Sequence, residues 1–197
     1  MEHAGACWAF SAVASIEGID KIMFGDLKSL SEQQLFACDH DDDGCSGGLH
    51  ARAFSYVISN GGITTEENYP YDPDQKTCDA IKEMDQAAYI TAYENVPANN
   101  EKLLMNAVAN QPVSVSIVSN EFHFYTGGIF DYPCGTNLNH EVTLVGYDTA
   151  DNRDSYWIAK NSWGKAWGED GYIRLNKDVP EKEGQCGLAM RAAYPVI

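Results

Sequence analysis

A cysteine at the threshold of a long amphipathic helix constrains this chain more than any other feature. In Gly5-Ala6-Cys7-Trp8-Ala9-Phe10-Ser11 the small residues end where a helical repeat begins, and Phe10, Val13, Ile16, Ile19 and Met23 recur at three- and four-residue spacing, as one buried helix face does. The repeat predicts a helix that starts at Cys7 and is ended by Gly25 and Asp26. A sulfur at such a start meets the helix's first backbone N–H groups and the positive end of its dipole, both of which favour thiolate over thiol. A cysteine taken alone is more often a small buried hydrophobe or half of a disulfide. Its role as a nucleophile therefore has to be decided by residues elsewhere in the chain.

Further on, Ser31-Glu32-Gln33-Gln34 reads as a capping box opening a short second helix through Phe36. Asp39-His40-Asp41-Asp42-Asp43-Gly44 has the acidic alternation of a calcium loop, but the twelfth position from Asp39 is His50, where such a loop needs a bidentate Glu. The expectation is a solvated loop pinned by Cys38 and Cys45. Zinc on Cys38, His40 and Cys45 has no usual ligand spacing, so no metal is expected. A third helix is predicted over 49–59, closed by Asn60-Gly61-Gly62. Residues 64–88, rich in Pro, Asp, Asn and Tyr, read as a long irregular segment. The character changes around 89–96. A helix near 101–110 follows, then strand-like runs at 113–118, 141–147, 156–160 and 171–175. Helices first and strands second predict an α+β protein of two lobes, 1–93 mainly helical and 94–197 mainly β.

Thirteen basic against twenty-nine acidic residues give a net charge of −16, which excludes nucleic acid and anionic membrane as natural partners. The charge suits an acidic compartment, where protonation of carboxylates relieves self-repulsion. No apolar run is long enough to span a bilayer and no signal peptide is evident, so the expectation is a soluble, processed form. Six cysteines point to an oxidising compartment, with their connectivity open at this stage. No sequon for N-glycosylation is present.

Two later motifs decide the reading of Cys7. Gly5-Ala6-Cys7-Trp8 is followed, at the appropriate distances, by Asn139-His140-Glu141-Val142 and by Lys160-Asn161-Ser162-Trp163-Gly164. With Gly44-Cys45-Ser46-Gly47-Gly48, Tyr69-Pro70-Tyr71, Asn110-Gln111-Pro112-Val113-Ser114-Val115 and Val145-Gly146-Tyr147, the chain resembles the papain-like cysteine peptidases nearly end to end. In character it is nearest the plant enzymes of that family, including the KDEL-tailed endopeptidases. The resemblance implies a papain-like two-lobe fold with a helical first lobe, an antiparallel barrel-like second lobe and an active-site cleft between them. It further implies disulfides Cys38–Cys78 and Cys134–Cys186. Cys45 is left without its usual family partner, whose place is taken by Ala4.

In that scheme Cys7 is the nucleophile, His140 the base and Asn161 the residue that orients it, as thiolate attack on a peptide carbonyl requires. Trp163 shields the His140–Asn161 contact from water. His3, His50 and His123 have no comparable context and read as surface or loop residues. The residues expected to bind substrate are Gly47, Gly48, Leu49, Ser116, Leu138, Asn139, Glu141, Trp163 and Arg191. Two further departures stand out. Met1 occupies the place of the Gln that supplies an oxyanion donor, and a thioether cannot donate. Glu141 follows His140 where the family has a small residue; paired with Arg191, it is expected to narrow the pocket for the second residue before the cleaved bond and weaken its preference for large apolar side chains. The expected activity is cysteine endopeptidase. The alternative is a catalytically impaired relative with a storage or binding role. No cofactor is implied. Peptide substrates, cystatin-like inhibitors and a propeptide are the partners the resemblance implies, with a monomer as the working form and a secreted, vacuolar or lysosome-like compartment as the location.

Overall fold

The computed structural model describes residues 5–151 and 153–197, and at Cys45 the backbone alone. Two compact units emerge, one running up to Glu94 and joined by Pro195–Ile197, the other formed by Asn95–Tyr194. The last three residues cluster with the first unit, in which Thr91 donates its N–H to the Val196 carbonyl at 2.8 Å.

In the first unit α1 (Cys7–Phe24) begins at Cys7 and is stopped by Gly25, whose φ of 93° lets its N–H return to the Lys21 carbonyl. Trp8, Ala9, Ala12, Val13, Ser15 and Ile16 are fully buried and Ser11 nearly so, which makes its first three turns buried on most sides instead of along one stripe. The final turn is different. Met23, expected on the buried face, is exposed together with Ile22 and Phe24. α2 (Glu32–Cys38) and α3 (His50–Asn60) pack on α1. Ser31 caps α2 by accepting the Gln34 N–H, but the reciprocal half of the box is missing: the Gln34 amide instead accepts from Thr64 N–H and donates to Tyr56. Long-range partners that must be satisfied in the core have taken the side chain from its local one. The segment 64–88 is mostly irregular, with one helical turn, α4 (Ala80–Glu83), capped by Asp79. Cys38–Cys78 ties it to α2.

A seven-stranded sheet, most of it in the second unit, has the order β1-β7-β2-β4-β5-β6-β3, where β1 is Ala92–Val96, β2 Val113–Ile117, β3 Ile129–Phe130, β4 His140–Thr149, β5 Ser155–Lys160, β6 Tyr172–Asn176 and β7 Ala192–Val196. Pairings β2–β7, β2–β4, β4–β5 and β5–β6 are antiparallel, and β3 lies parallel to β6. β2 is buried along its whole length. Its Val113, Val115 and Ile117 join Val142, Leu144, Trp157, Ala159, Ile173 and Leu175 in one core, closed by Leu104 and Val108 of α5 (Glu101–Val108). Cys134–Cys186 links the β3–β4 connection to the segment before β7.

Candidate active site

The β4–β5 hairpin brings two residues 21 positions apart into contact. Antiparallel pairing of Thr143 with Lys160 sets the first residue of β4, His140, beside the residue that follows β5, Asn161. Both are buried, and His140 Nε2 lies 2.8 Å from Asn161 Oδ1. The Ser162 N–H donates to the same Oδ1 at 2.9 Å, which identifies that atom as an acceptor. His140 Nε2 must therefore carry the hydrogen, and in the neutral ring the lone pair is on Nδ1. A base needs that second nitrogen.

Aromatic rings enclose this pair. The Trp163 indole lies 5.2 Å from the His140 ring and packs edge-on to Trp167 at 5.1 Å. On Trp163 also rests His123, stacked at 4.7 Å with only 10° between the planes. Sequence reasoning placed His123 among surface residues; it is exposed, yet it belongs to this cluster. Its one visible signal is its setting in the aromatic run Phe122-His123-Phe124-Tyr125. Burial pushes the His140 pKa below the ordinary histidine value; the Asn161 hydrogen bond and the Glu141 charge oppose this, and His123 reinforces it. Glu141→Gln removes a charge that favours imidazolium, so His140 titrates lower in this variant than in the parent, whereas His123→Gln moves it upward. Ring resonances followed by NMR through the acid range read both directions.

Glu141 is the β4 partner of Ser116 on β2, and Ser116 Oγ donates to its Oε1 at 3.0 Å. Glu141 is buried, but Arg191, expected as its companion at the base of a pocket, is exposed. Asn139 is fixed ahead of β4 by accepting the Ser119 N–H at 3.0 Å and donating to Asn120, while Leu138 is half-buried against Gly187.

In the first unit Cys7 is the first residue of α1, half-buried and outside both disulfides. Gly47, with φ of 117°, leaves a 3-10 turn (Gly44–Ser46), and Gly48 and Leu49 lead into α3. Gly48 is obligatory: an added Cβ would sit 2.5 Å from Trp8 Cδ2 and 2.7 Å from Asp42 Cγ. His50, expected at the surface, is fully buried in the first turn of α3. The acidic loop is only partly solvated, since Asp39 and Asp42 are buried. The zinc set considered from sequence loses Cys38 to its disulfide with Cys78. Met1, His3 and Ala4 lie outside the described residues, as does the Cys45 side chain.

Comparison with known proteins accords with this geometry. The profile described as "Papain family cysteine protease" matches residues 1–196. The senescence-specific cysteine protease SAG12 of Arabidopsis thaliana is 54% identical over 195 residues, covering 98% of this chain and 56% of that protein. Vignain of Vigna mungo is 51% identical over 197 residues, covering 98% and 54%. The chain thus spans about half the length of the curated relatives it matches. Among solved structures, bromelain from Ananas comosus in complex with the E64 inhibitor superimposes with a TM-score of 0.95 at 47% identity, covering 98% of this chain and 90% of that one. The fold is papain-like, and the chain belongs to the papain family of cysteine proteases.

Proposed function

We propose that this chain acts as a cysteine endopeptidase, with Cys7 as nucleophile, His140 as its general base and acid, and Asn161 as the residue that orients the imidazole. The observation that carries the proposal is the His140–Asn161 bond, because it fixes the tautomer that leaves Nδ1 to take a thiol proton. The names of relatives such as the senescence-specific cysteine protease SAG12 and the cysteine endopeptidase RepA support the same reading.

Attack by the Cys7 sulfur on a peptide carbonyl gives a tetrahedral oxyanion, for which the Cys7 backbone N–H is one donor in this scheme. Its collapse expels the amine, which takes its proton from His140 and leaves an acyl-enzyme. Water deprotonated by His140 then releases the acid and restores the thiol. Burial of His140 disfavours the imidazolium and a thiolate partner favours it, so in this scheme the two titrate as a coupled pair. For substrate we assign the backbone of Gly47, Gly48 and Leu49, together with Ser116, Leu138, Asn139, Glu141, Trp163 and Arg191. The polar wall made by Ser116 and Glu141 disfavours a large apolar residue at the pocket they line.

A ragweed pollen cysteine protease of this fold, Amb a 11, was solved in its proform. We extend to this chain synthesis with an inhibitory propeptide, inhibition by cystatin-like proteins and activity as a monomer. Its relatives include a KDEL-tailed endopeptidase, and we place this protein on a secretory or vacuolar route ending in an acidic compartment. Among the described residues no helix is long and apolar enough to cross a membrane.

The test is labelling with E64 between about pH 4 and 8, with peptide mapping and a cleavage assay on the same sample. Cys7 is expected to react far faster than Cys45 at mildly acidic pH, with loss of cleavage tracking its modification. Equal labelling of the two thiols and no cleavage would turn the reading to a binding or storage protein.

A further inference from the structure

Asp42 has no part in the chemistry above, yet its side chain is completely buried. Its Oδ1 accepts the Leu49 N–H at 3.2 Å and an Arg52 guanidinium N–H at 3.0 Å. Asp39 is likewise buried, and its Oδ1 accepts the Asp41 N–H at 3.0 Å. The other carboxyl oxygen of each residue is buried without a hydrogen-bond partner. The two residues lie three positions apart in one loop, and the Asp42 side chain acts directly on the Asp39 carboxyl. Two acceptors facing each other away from water repel; one proton between them satisfies both. Asp42 also presses on Gly48, where a Cβ would meet its Cγ at 2.7 Å.

We propose that Asp39 and Asp42 share one proton, and that this pair positions the Gly47–Leu49 backbone against which a peptide substrate docks. The substrate role rests on the peptidase reading above. With the proton in place, Asp42 stays against Gly48 and holds the Leu49 N–H. Without it, the paired carboxylates repel, Asp42 moves off, and the substrate edge loses its support.

The surrounding charges are consistent with this. Burial is the main reason the Asp42 carboxyl is pushed up to about 7, and repulsion from Asp39 adds to it; Arg52 and the Leu49 N–H pull the other way. Burial likewise raises Asp39, with Asp41 adding to the rise and His40 opposing it. The proton is therefore held at mildly acidic pH and lost as pH rises through about 7.

Amide hydrogen exchange at Leu49, corrected for its intrinsic pH dependence, tests the pair without reference to activity. Protection is expected to fall about tenfold between pH 6 and 8, as the ionised fraction grows. Asp42→Asn keeps an acceptor for Leu49 and gains a donor for Asp39, so its protection stays level. KM for a peptide substrate rises over the same range in the parent, with kcat following a separate profile, and stays flat in Asp42→Asn. If that variant does not fold, Asp39→Asn serves in its place. Unchanging Leu49 protection in the parent, or an equal loss in the variant, overturns the proposal. Peptide cleavage with flat protection sinks the pair alone. Absence of cleavage at every pH sinks the peptidase reading and the substrate role with it, while the exchange data still decide whether the proton is shared.

Discussion

His140→Ala is expected to lower kcat/KM for a peptide substrate by about 10⁵- to 10⁶-fold, the size of loss seen when one member of a catalytic unit is removed. On the proposed mechanism three separate services disappear together. The Cys7 thiol loses the base that deprotonates it, the thiolate loses a cationic neighbour, and the leaving amine loses its proton donor. Raising the pH restores only the first, because a thiol ionises unaided near its ordinary value of about 8.5. The variant should therefore regain reactivity toward E64 in alkali, since epoxide opening needs the thiolate, while peptide turnover stays low for want of the acid. That split separates a catalytic histidine from a structural one. Asn161→Ala should cost less, because the imidazole survives and only its tautomer and orientation are released. Circular dichroism on each variant controls for folding, as both side chains are buried. A His140→Ala protein within tenfold of the parent on peptide substrate would remove the base assignment.

The parts of this site that could be read from sequence are those set by local chemistry. Cys7 opens α1 because small residues end and a helical repeat begins there, and Gly25 stops that helix through its positive φ. Ser31 caps α2 as expected. The His140–Asn161 contact follows from a hairpin whose strands were visible as apolar runs. What escaped depends on residues distant in the chain. Asp42 looks like one of several loop acids until Trp8 and the Gly47–Leu49 backbone close over it. His123 gains meaning only when the segment after β5 carries Trp163 to its face. Gln34 has the right spacing for a capping box, but the buried Thr64 N–H and the half-buried Tyr56 hydroxyl claim it. β3 has two residues, too few for any alternation, and its place is set by parallel pairing with β6. β7 includes Pro195, which weakens any strand signal, and pairing of Ala192 and Ala193 with β2 defines it.

Joint replacement of Cys134 and Cys186 by Ser is expected to cost about 4 kcal/mol, from the loop-closure entropy regained by the unfolded chain when a link across 52 residues is cut. At this chain length that corresponds to a fall in Tm of roughly 8–16 °C. The location makes the loss more than a global one. Cys186 is buried in the core of the second unit, and the Val118 N–H just beyond β2 donates to its carbonyl at 3.0 Å. Cys134 lies in the connection that leads through Leu138 and Asn139 into His140. Cutting the bridge therefore loosens the approach to β4, which Asn139 still holds through Ser119, Asn120 and the Ile117 carbonyl. Cys38–Cys78 closes a loop of similar span, 40 residues, and its loss carries a comparable entropic cost. It anchors the irregular segment to α2 in the other unit, however, and joins no residue of the β3–β4 connection. Similar falls in Tm should thus come with different kinetics: below both transitions, the Cys134/Cys186 variant loses kcat more than the Cys38/Cys78 variant does. Thermal melts and kcat measured on the two double-Ser variants check both halves, and equal kcat in the two would show that the second bridge stabilises the unit without holding its catalytic strand.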